Sequence, residues 1–256
     1  MQRYFSNELN NNTFKLNNDD IYHITKVMRM NENDLIEVVY QKCVYLCNLE
    51  FSGSEISVKL NSKVESVNDE SQEIVLIIPL LKEAKMDLIL QKATELGVNK
   101  IIPVVMERSI VHLDNDRQSK KIERWTKICK EASEQSMRVT IPVITEVKRI
   151  TDLKSLEGVK LVCSTLEKEN TIKMFLQSNK SYDKINIVIG PEGGLSLKEE
   201  DYLKSIGFTP VSLGKRIMRV ETVPLFILSV LNYEIMEWLA WILLERLWIV
   251  QLFIIV

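Results

Sequence analysis

The sequence predicts an α/β fold with a largely parallel sheet, preceded by a small β-rich module, and three observations carry that prediction. Residues 74–81 form a continuous apolar run, the signature of a strand buried on both faces. Met86, Ile89, Leu90, Ala93 and Leu96 follow at three- and four-residue spacing, and a strand-like segment comes next at 100–105. Strand, helix, strand is the parallel βαβ unit. Third, five of the eight glycines (Gly190, Gly193, Gly194, Gly207 and Gly214) fall within 25 residues, in a chain of 256 that at ordinary usage would carry roughly 18.

The remaining elements follow in order. Before residue 74, β-type runs at 35–40, 44–51 and 56–60 are separated by polar turns at 31–34 and 52–54. Ile21, Ile24, Val27 and Met28 have helical spacing and predict a short helix over 19–30. The polar stretch 66–73 reads as a linker. Gly97 stands where a helix C-cap belongs. A long helix then carries Ile122, Trp125, Cys129 and Ala132 on one face, which marks Trp125 as core. Strands at 161–164, 185–189 and 211–213 alternate with helices near 169–178, 197–206 and 223–236. The expected domains are 1–72 and 73–236, followed by a hydrophobic tail at 237–256.

Charge is distributed unevenly around a net of −2. Residues 1–72 hold 7 basic against 11 acidic side chains, whereas 82–149 hold 14 against 10. Arg117, Lys120, Lys121, Arg124, Lys127, Lys130 and Arg138 concentrate that excess in a stripe, which is either a phosphate-binding face or a solvated helix surface. Cys43, Cys47, Cys129 and Cys163 show no CxxC spacing, so reduced thiols in a cytoplasmic protein and no metal site are expected. His23 and His112 are too isolated to form a catalytic pair.

The glycine-rich turns hold the chemistry. The run 187–196 leads from a buried strand through Gly190-Pro191-Glu192-Gly193-Gly194 to Ser196 and Glu199, which have capping-box spacing. Glycines let backbone groups approach a ligand closely. The P-loop Lys is absent, however, and Glu192 would repel a phosphate, so a cationic or hydroxyl-rich ligand suits the turn. The second turn, 213–222, alternates apolar walls with Arg216, Arg219 and Glu221 before a helix that Thr222 is placed to cap.

GPEGGLS at 190–196, LGKRIMRVET at 213–222, KMDLILQKATELGV at 85–98, the Arg124–Arg138 pattern and HITKVMRMNENDLI at 23–36 together resemble the RsmE-type ribosomal RNA methyltransferases. The resemblance covers 1–236, in the family's order. It implies a PUA-like β-barrel followed by a SPOUT domain with a deep trefoil knot. It also implies methylation by S-adenosylmethionine of N3 of a uridine in 16S ribosomal RNA, by a homodimer. Carried onto this chain, the cofactor residues are Thr165, Leu166, Glu167, Ile189, Gly190, Glu192, Gly193, Gly194, Leu213, Gly214, Ile217, Met218, Arg219 and Thr222. Uridine N3 must lose a proton before it can attack, so Arg216, Arg219 and Glu221 are the catalytic candidates. RNA contacts are expected at Arg3, Lys26, Arg29, Lys82, Lys85, Arg108, Arg124 and Arg138.

Three positions depart from the family pattern, with Met137, Val223 and Phe226 standing where smaller residues are usual. The tail is the larger departure. It holds 16 apolar residues in 19 over 238–256, but Glu245, Arg246 and Gln251 lie centrally, against a membrane span. A noncatalytic RNA-binding protein of the same fold, and a methyltransferase acting on transfer RNA, are the alternative functions.

Overall fold

The computed structural model describes residues 1–52, 55–64, 72–111, 115–179 and 182–234. The tail, His112 and most of the 66–73 segment lie outside these residues. The chain divides into two compact units, Met1–Ser71 with Cys129–Ile141 and Gln72–Ile128 with Pro142–Val256.

In the first unit, β1 (Arg3–Phe5), β2 (Leu9–Asn10), β3 (Thr13–Phe14), β4 (Leu35–Tyr40), β5 (Cys43–Ser52) and β6 (Glu55–Val64) form a mixed sheet in the order β1-β4-β5-β6-β3-β2. Only β1 and β4 pair in parallel; the other pairings are antiparallel. Tight two-residue turns explain two of the hairpins. Asn11 and Asn12 between β2 and β3, and Gln41 and Lys42 between β4 and β5, all have positive φ, the backbone that matches the twist of paired strands. Tyr4, Phe14, Ile24, Ile36, Val38, Cys47, Leu49 and Val58 make the core.

The helix expected over 19–30 is shorter and changes type. Helix α1 (Asn18–Tyr22) starts where Asn17 accepts from the Asp20 N–H at 2.8 Å, and the chain then widens into a π-helical turn at His23–Val27. Widening rotates the later residues off the apolar face. Ile24 is fully buried, while Val27 and Met28 are exposed.

The second unit holds β7 (Glu73–Pro79), α2 (Glu83–Glu95), β8 (Lys100–Val105), β9 (Val143–Ile144), β10 (Lys148–Arg149), β11 (Val159–Cys163), α4 (Ile172–Ser178), β12 (Lys184–Ile189), α5 (Leu197–Ser205), β13 (Thr209–Val211) and a helix α6 at 222–234. Helix α3 (Asn115–Gln135) begins here and ends in the first unit. The sheet order is β10-β8-β7-β12-β11-β13, with β9 beside β8, and every pairing is parallel. The expected parallel sheet is therefore present. Strands β7 and β12 are buried along nearly their whole length, as continuous apolar runs require. Trp125, Cys129 and Ala132 are buried, as their helical spacing predicts.

Parallel pairing has a functional consequence. It brings the C-terminal ends of β7, β8, β11, β12 and β13 to one side, so the segments that follow them gather there. These segments carry Lys85, Arg108, Ser164–Glu167, Gly190–Gly194 and Leu213–Glu221.

Candidate functional site

A cavity of about 600 Å³ lies at those strand ends. That is within the usual range for a small-molecule site, about 300–1,000 Å³. Of the residues predicted to hold a cofactor, Thr165, Leu166, Ile189, Gly190, Glu192, Gly193, Gly194, Ile217, Met218 and Arg219 line it. A smaller recess adjoins it through Cys163, Ser164, Thr165, Ile217, Met218 and Val223, and there Glu167, Leu213 and Gly214 join the lining. Arg216 lines the recess too, whereas Arg219 lines the main cavity. Thr222 lines neither. It is the first residue of α6, one place beyond the cap position that Glu221 occupies, and its N–H donates to the Arg219 carbonyl at 2.9 Å.

Each loop is shaped by local chemistry. The 190–194 turn closes through the Gly194 N–H to the Pro191 carbonyl at 2.8 Å. Beyond it, Ser196 and Glu199 form the expected reciprocal capping box, and Glu199 also accepts the Glu107 N–H at 2.7 Å. The bare Cα of Gly193 turns out to serve the protein itself: an added Cβ would lie 3.2 Å from the Arg108 Cβ. Arg108 packs over the turn and donates to the carbonyls of Gly193 at 2.9 Å and Leu195 at 3.4 Å. Gly193 also lines the cavity, so its bare Cα allows this packing beside the site.

The 164–170 loop depends on groups that the sequence reading missed. Buried Ser164 donates to the Glu200 carboxylate, 3.0 Å from both oxygens, and accepts the N–H groups of Leu166 at 3.1 Å and Glu167 at 3.3 Å. Glu200 lines the main cavity and is 4% exposed. The Glu167 carboxylate accepts the N–H groups of Lys168, Glu169 and Asn170, led by that of Asn170, and these hold its pKa below the ordinary carboxylate value. This folded loop is why α4 starts at Ile172, capped by Thr171, instead of near 169. A buried Glu four residues before Lys204 on a short amphipathic helix was the available signal for Glu200, but i,i+4 pairs are usually solvated.

Three charges meet beside the cavity, two of them, Lys85 and Glu192, in its lining. The Lys85 ammonium stands 3.1 Å from Glu192 and 3.5 Å from Glu221. Its hydrogen bond to Glu192 is the main cause that raises the Lys85 pKa. Glu221 is held below the ordinary carboxylate range, first by its own backbone N–H and then by Lys85. Burial pushes the Cys163 thiol up to about 12, which leaves it an unreactive neutral wall. Val223 lines both cavity and recess, so the extra bulk noted in the sequence faces the site.

The predicted RNA contacts separate into two groups. Lys26, Arg29, Lys82 and Arg108 are exposed. Arg108 also donates to the glycine turn, and the remaining four are engaged within the protein. Arg3 pairs with Glu37 at 2.7 Å and donates to the Met137 carbonyl, and Arg138 is 5% exposed. Arg124 forms a two-pronged pair with Asp87 at 2.7 and 2.5 Å. Lys121 reaches Glu83, and Lys130 lies between Asp20 and Glu134, at 2.5 Å from each. Much of the basic stripe on α3 is therefore neutralised, chiefly by Glu83, Asp87 and Asp20, which sequence order places far away, and for Lys130 also by its helical neighbour Glu134. His23 hydrogen-bonds Tyr4 at 2.9 Å, a structural role.

Comparison with known proteins gives this geometry a context. The RNA methyltransferase domain family matches residues 68–232. The ribosomal RNA small subunit methyltransferase E of Bacillus subtilis is 35% identical over 91% of this chain and 97% of its own length. A methyltransferase of that name from Neisseria gonorrhoeae, solved with S-adenosylmethionine bound, matches with a TM-score of 0.81 and 29% identity over 91% of this chain and 97% of its own. A putative methyltransferase from Legionella pneumophila, also solved with that cofactor, gives 0.82 and 27% over 90% and 96%.

Proposed function

The chain belongs to the RNA methyltransferase domain family, and from that premise we propose that it uses S-adenosylmethionine to methylate small-subunit 16S ribosomal RNA at N3 of a uridine. One observation carries the reading: the three segments assigned to a cofactor from sequence, around 165–167, 190–194 and 213–219, converge on one cavity and its recess. The lining suits that cofactor. Leu166, Ile189, Leu195, Ile217, Met218 and Val220 offer apolar walls to an adenine ring, and the carboxylates of Glu192 and Glu200 complement hydroxyl and ammonium groups. The cofactor-bound structures of the Neisseria and Legionella proteins support the same assignment.

When bound, S-adenosylmethionine supplies an activated methyl group on a positive sulfur. The chain's own residues must bind and align the reactants and manage one proton. Loss of the N3 proton spreads negative charge onto the uracil oxygens, which Arg216 and Arg219 are placed to stabilise from the recess and the cavity. Glu221, held ionised, suits orientation of a donor group better than removal of a proton from a weak acid.

In this reading the first unit is a PUA-like barrel that holds RNA through Lys26 and Arg29, and the second unit offers Lys82 and Arg108 as its own RNA contacts. The second unit is a knotted SPOUT domain, the domains divide at 72, and the protein works as a homodimer in the cytoplasm. Calorimetric titration with S-adenosylmethionine and nucleoside mass spectrometry test the proposal. Small subunits from a strain lacking the gene should gain N3-methyluridine on treatment with protein and cofactor. No binding at millimolar cofactor would sink the cofactor assignment, and a methyl group at another position would remove the N3 assignment alone.

A further inference from the structure

In the cavity lining, Lys85 stands between two anions contributed by different segments, Glu192 within the lining and Glu221 outside it. Lys85 comes from the first turn of α2, Glu192 from the glycine turn after β12, and Glu221 from the residue before α6. Their spacing, 3.1 and 3.5 Å from a single ammonium, ties three otherwise separate pieces of chain together. The Glu221 Oε2 atom is buried without a hydrogen bond, so the Lys85 charge offsets its loss of water. Arg108 fixes the other side of the same glycine turn through the carbonyls of Gly193 and Leu195. A turn built on Gly190, Gly193 and Gly194 has little stiffness of its own, and these two cations supply it.

We infer that Lys85 is a positioning residue of the cofactor cavity, where it neutralises Glu192 and Glu221 and thereby holds the glycine turn and the 215–221 segment in place, rather than an RNA contact. The inference rests on reading this cavity as the S-adenosylmethionine site. Without the ammonium, the two carboxylates that it bridges lose their shared counter-charge, and like charges repel. The turn that carries Glu192 is the element free to yield. An ammonium already engaged by two carboxylates is also poorly placed to serve a phosphate, unlike exposed Lys26 and Lys82.

The test uses the full-length protein with S-adenosylmethionine and ribosomal RNA. Lys85→Gln should raise the Kd and KM for S-adenosylmethionine about tenfold, with kcat at saturating cofactor falling less than about threefold. The salt dependence of RNA binding should stay unchanged. Lys85→Arg should restore cofactor affinity to within about threefold. Lys85→Gln combined with Glu221→Gln, which removes the like-charge pair but keeps the Glu192 carboxylate, should bind cofactor better than Lys85→Gln alone. If Lys85→Gln fails to fold, Glu221→Gln, which breaks the tie from Lys85 to the 215–221 segment and keeps the Glu192 carboxylate, should weaken cofactor binding by itself. Unchanged cofactor affinity in either variant, or a Lys85→Gln effect confined to RNA affinity with a shallower salt slope, overturns the inference. A wild-type protein that binds no cofactor would instead remove the reading of the cavity.

Discussion

Replacing Ser164 by Ala should loosen the 164–170 loop from α5, and the structure sets the size of the effect. The hydroxyl donates to the buried Glu200 carboxylate and accepts two loop N–H groups. A hydrogen bond to a charged partner contributes about 1.5–3 kcal/mol, and each neutral one about 0.5–1.5. The loop amides are part-buried and can turn to water, and Glu200 keeps Lys204 at 3.3 Å, so a net loss of about 2–3 kcal/mol is expected. Urea unfolding followed by circular dichroism reads that loss, and titration calorimetry should show S-adenosylmethionine binding weakened about tenfold. Ser164→Thr keeps the hydroxyl and should recover most of both. In a double-mutant cycle with Glu200→Gln the coupling should be about 1–2 kcal/mol. A Ser164→Ala protein within about 0.5 kcal/mol of wild type, with unchanged cofactor affinity, would refute the claim that this pair shapes the loop.

Three further outcomes follow from other parts of the molecule. In the first unit, burial raises the Glu134 pKa from 4.5 to about 7 despite Lys130, with Asp20, also raised by burial, facing the same ammonium and Tyr4 and His23 nearby. The folded state therefore holds a proton that the unfolded chain releases, so this stabilisation is complete below about pH 4.5 and lost as pH rises through about 7, on the order of 3 kcal/mol. Glu134→Gln should flatten that part of the stability profile; an unaltered slope would contradict it. Gly158→Ala places a Cβ 2.7 Å from the Lys184 carbonyl at a φ of +90°, which should cost about 2–4 kcal/mol in thermal unfolding and leave cofactor affinity alone, since Gly158 precedes β11 at the end away from the cavity. Lys26→Ala with Arg29→Ala should reduce RNA affinity and the salt slope by about 1–2, whereas Arg124→Ala, which breaks the pair with Asp87, should change the slope less than it changes stability.

Local chemistry was readable wherever a pattern and its cause lie within a few residues. The apolar run at 74–81 became β7 and the two flanking leucines, the capping box at Ser196 set the start of α5, and the spacing of Trp125, Cys129 and Ala132 gave the buried face of α3. The β2–β3 hairpin was equally accessible through its Asn11-Asn12 pair, yet strands of two residues carry too little alternation to register. The π-helical turn at His23–Val27 was not, because one inserted residue leaves the sequence spacing intact while rotating Val27 and Met28 outward.

By itself, then, the sequence determined the parallel α/β class, the loops that line the cavity and the family to which they belong, because periodicity, capping and glycine placement act over short distances. Tertiary structure alone decided which charges are free. Arg3, Lys85, Arg124, Lys130 and Arg138 look like surface cations along the chain, but folding brings Glu37, Glu192, Glu221, Asp87 and Asp20 to them or buries them. It also decided that Ser164 and Glu200, 36 residues apart, share a hydrogen bond at the cavity. Coulomb and hydrogen-bond energies depend on distance in space, and for such pairs the distance along the chain carries no information about it.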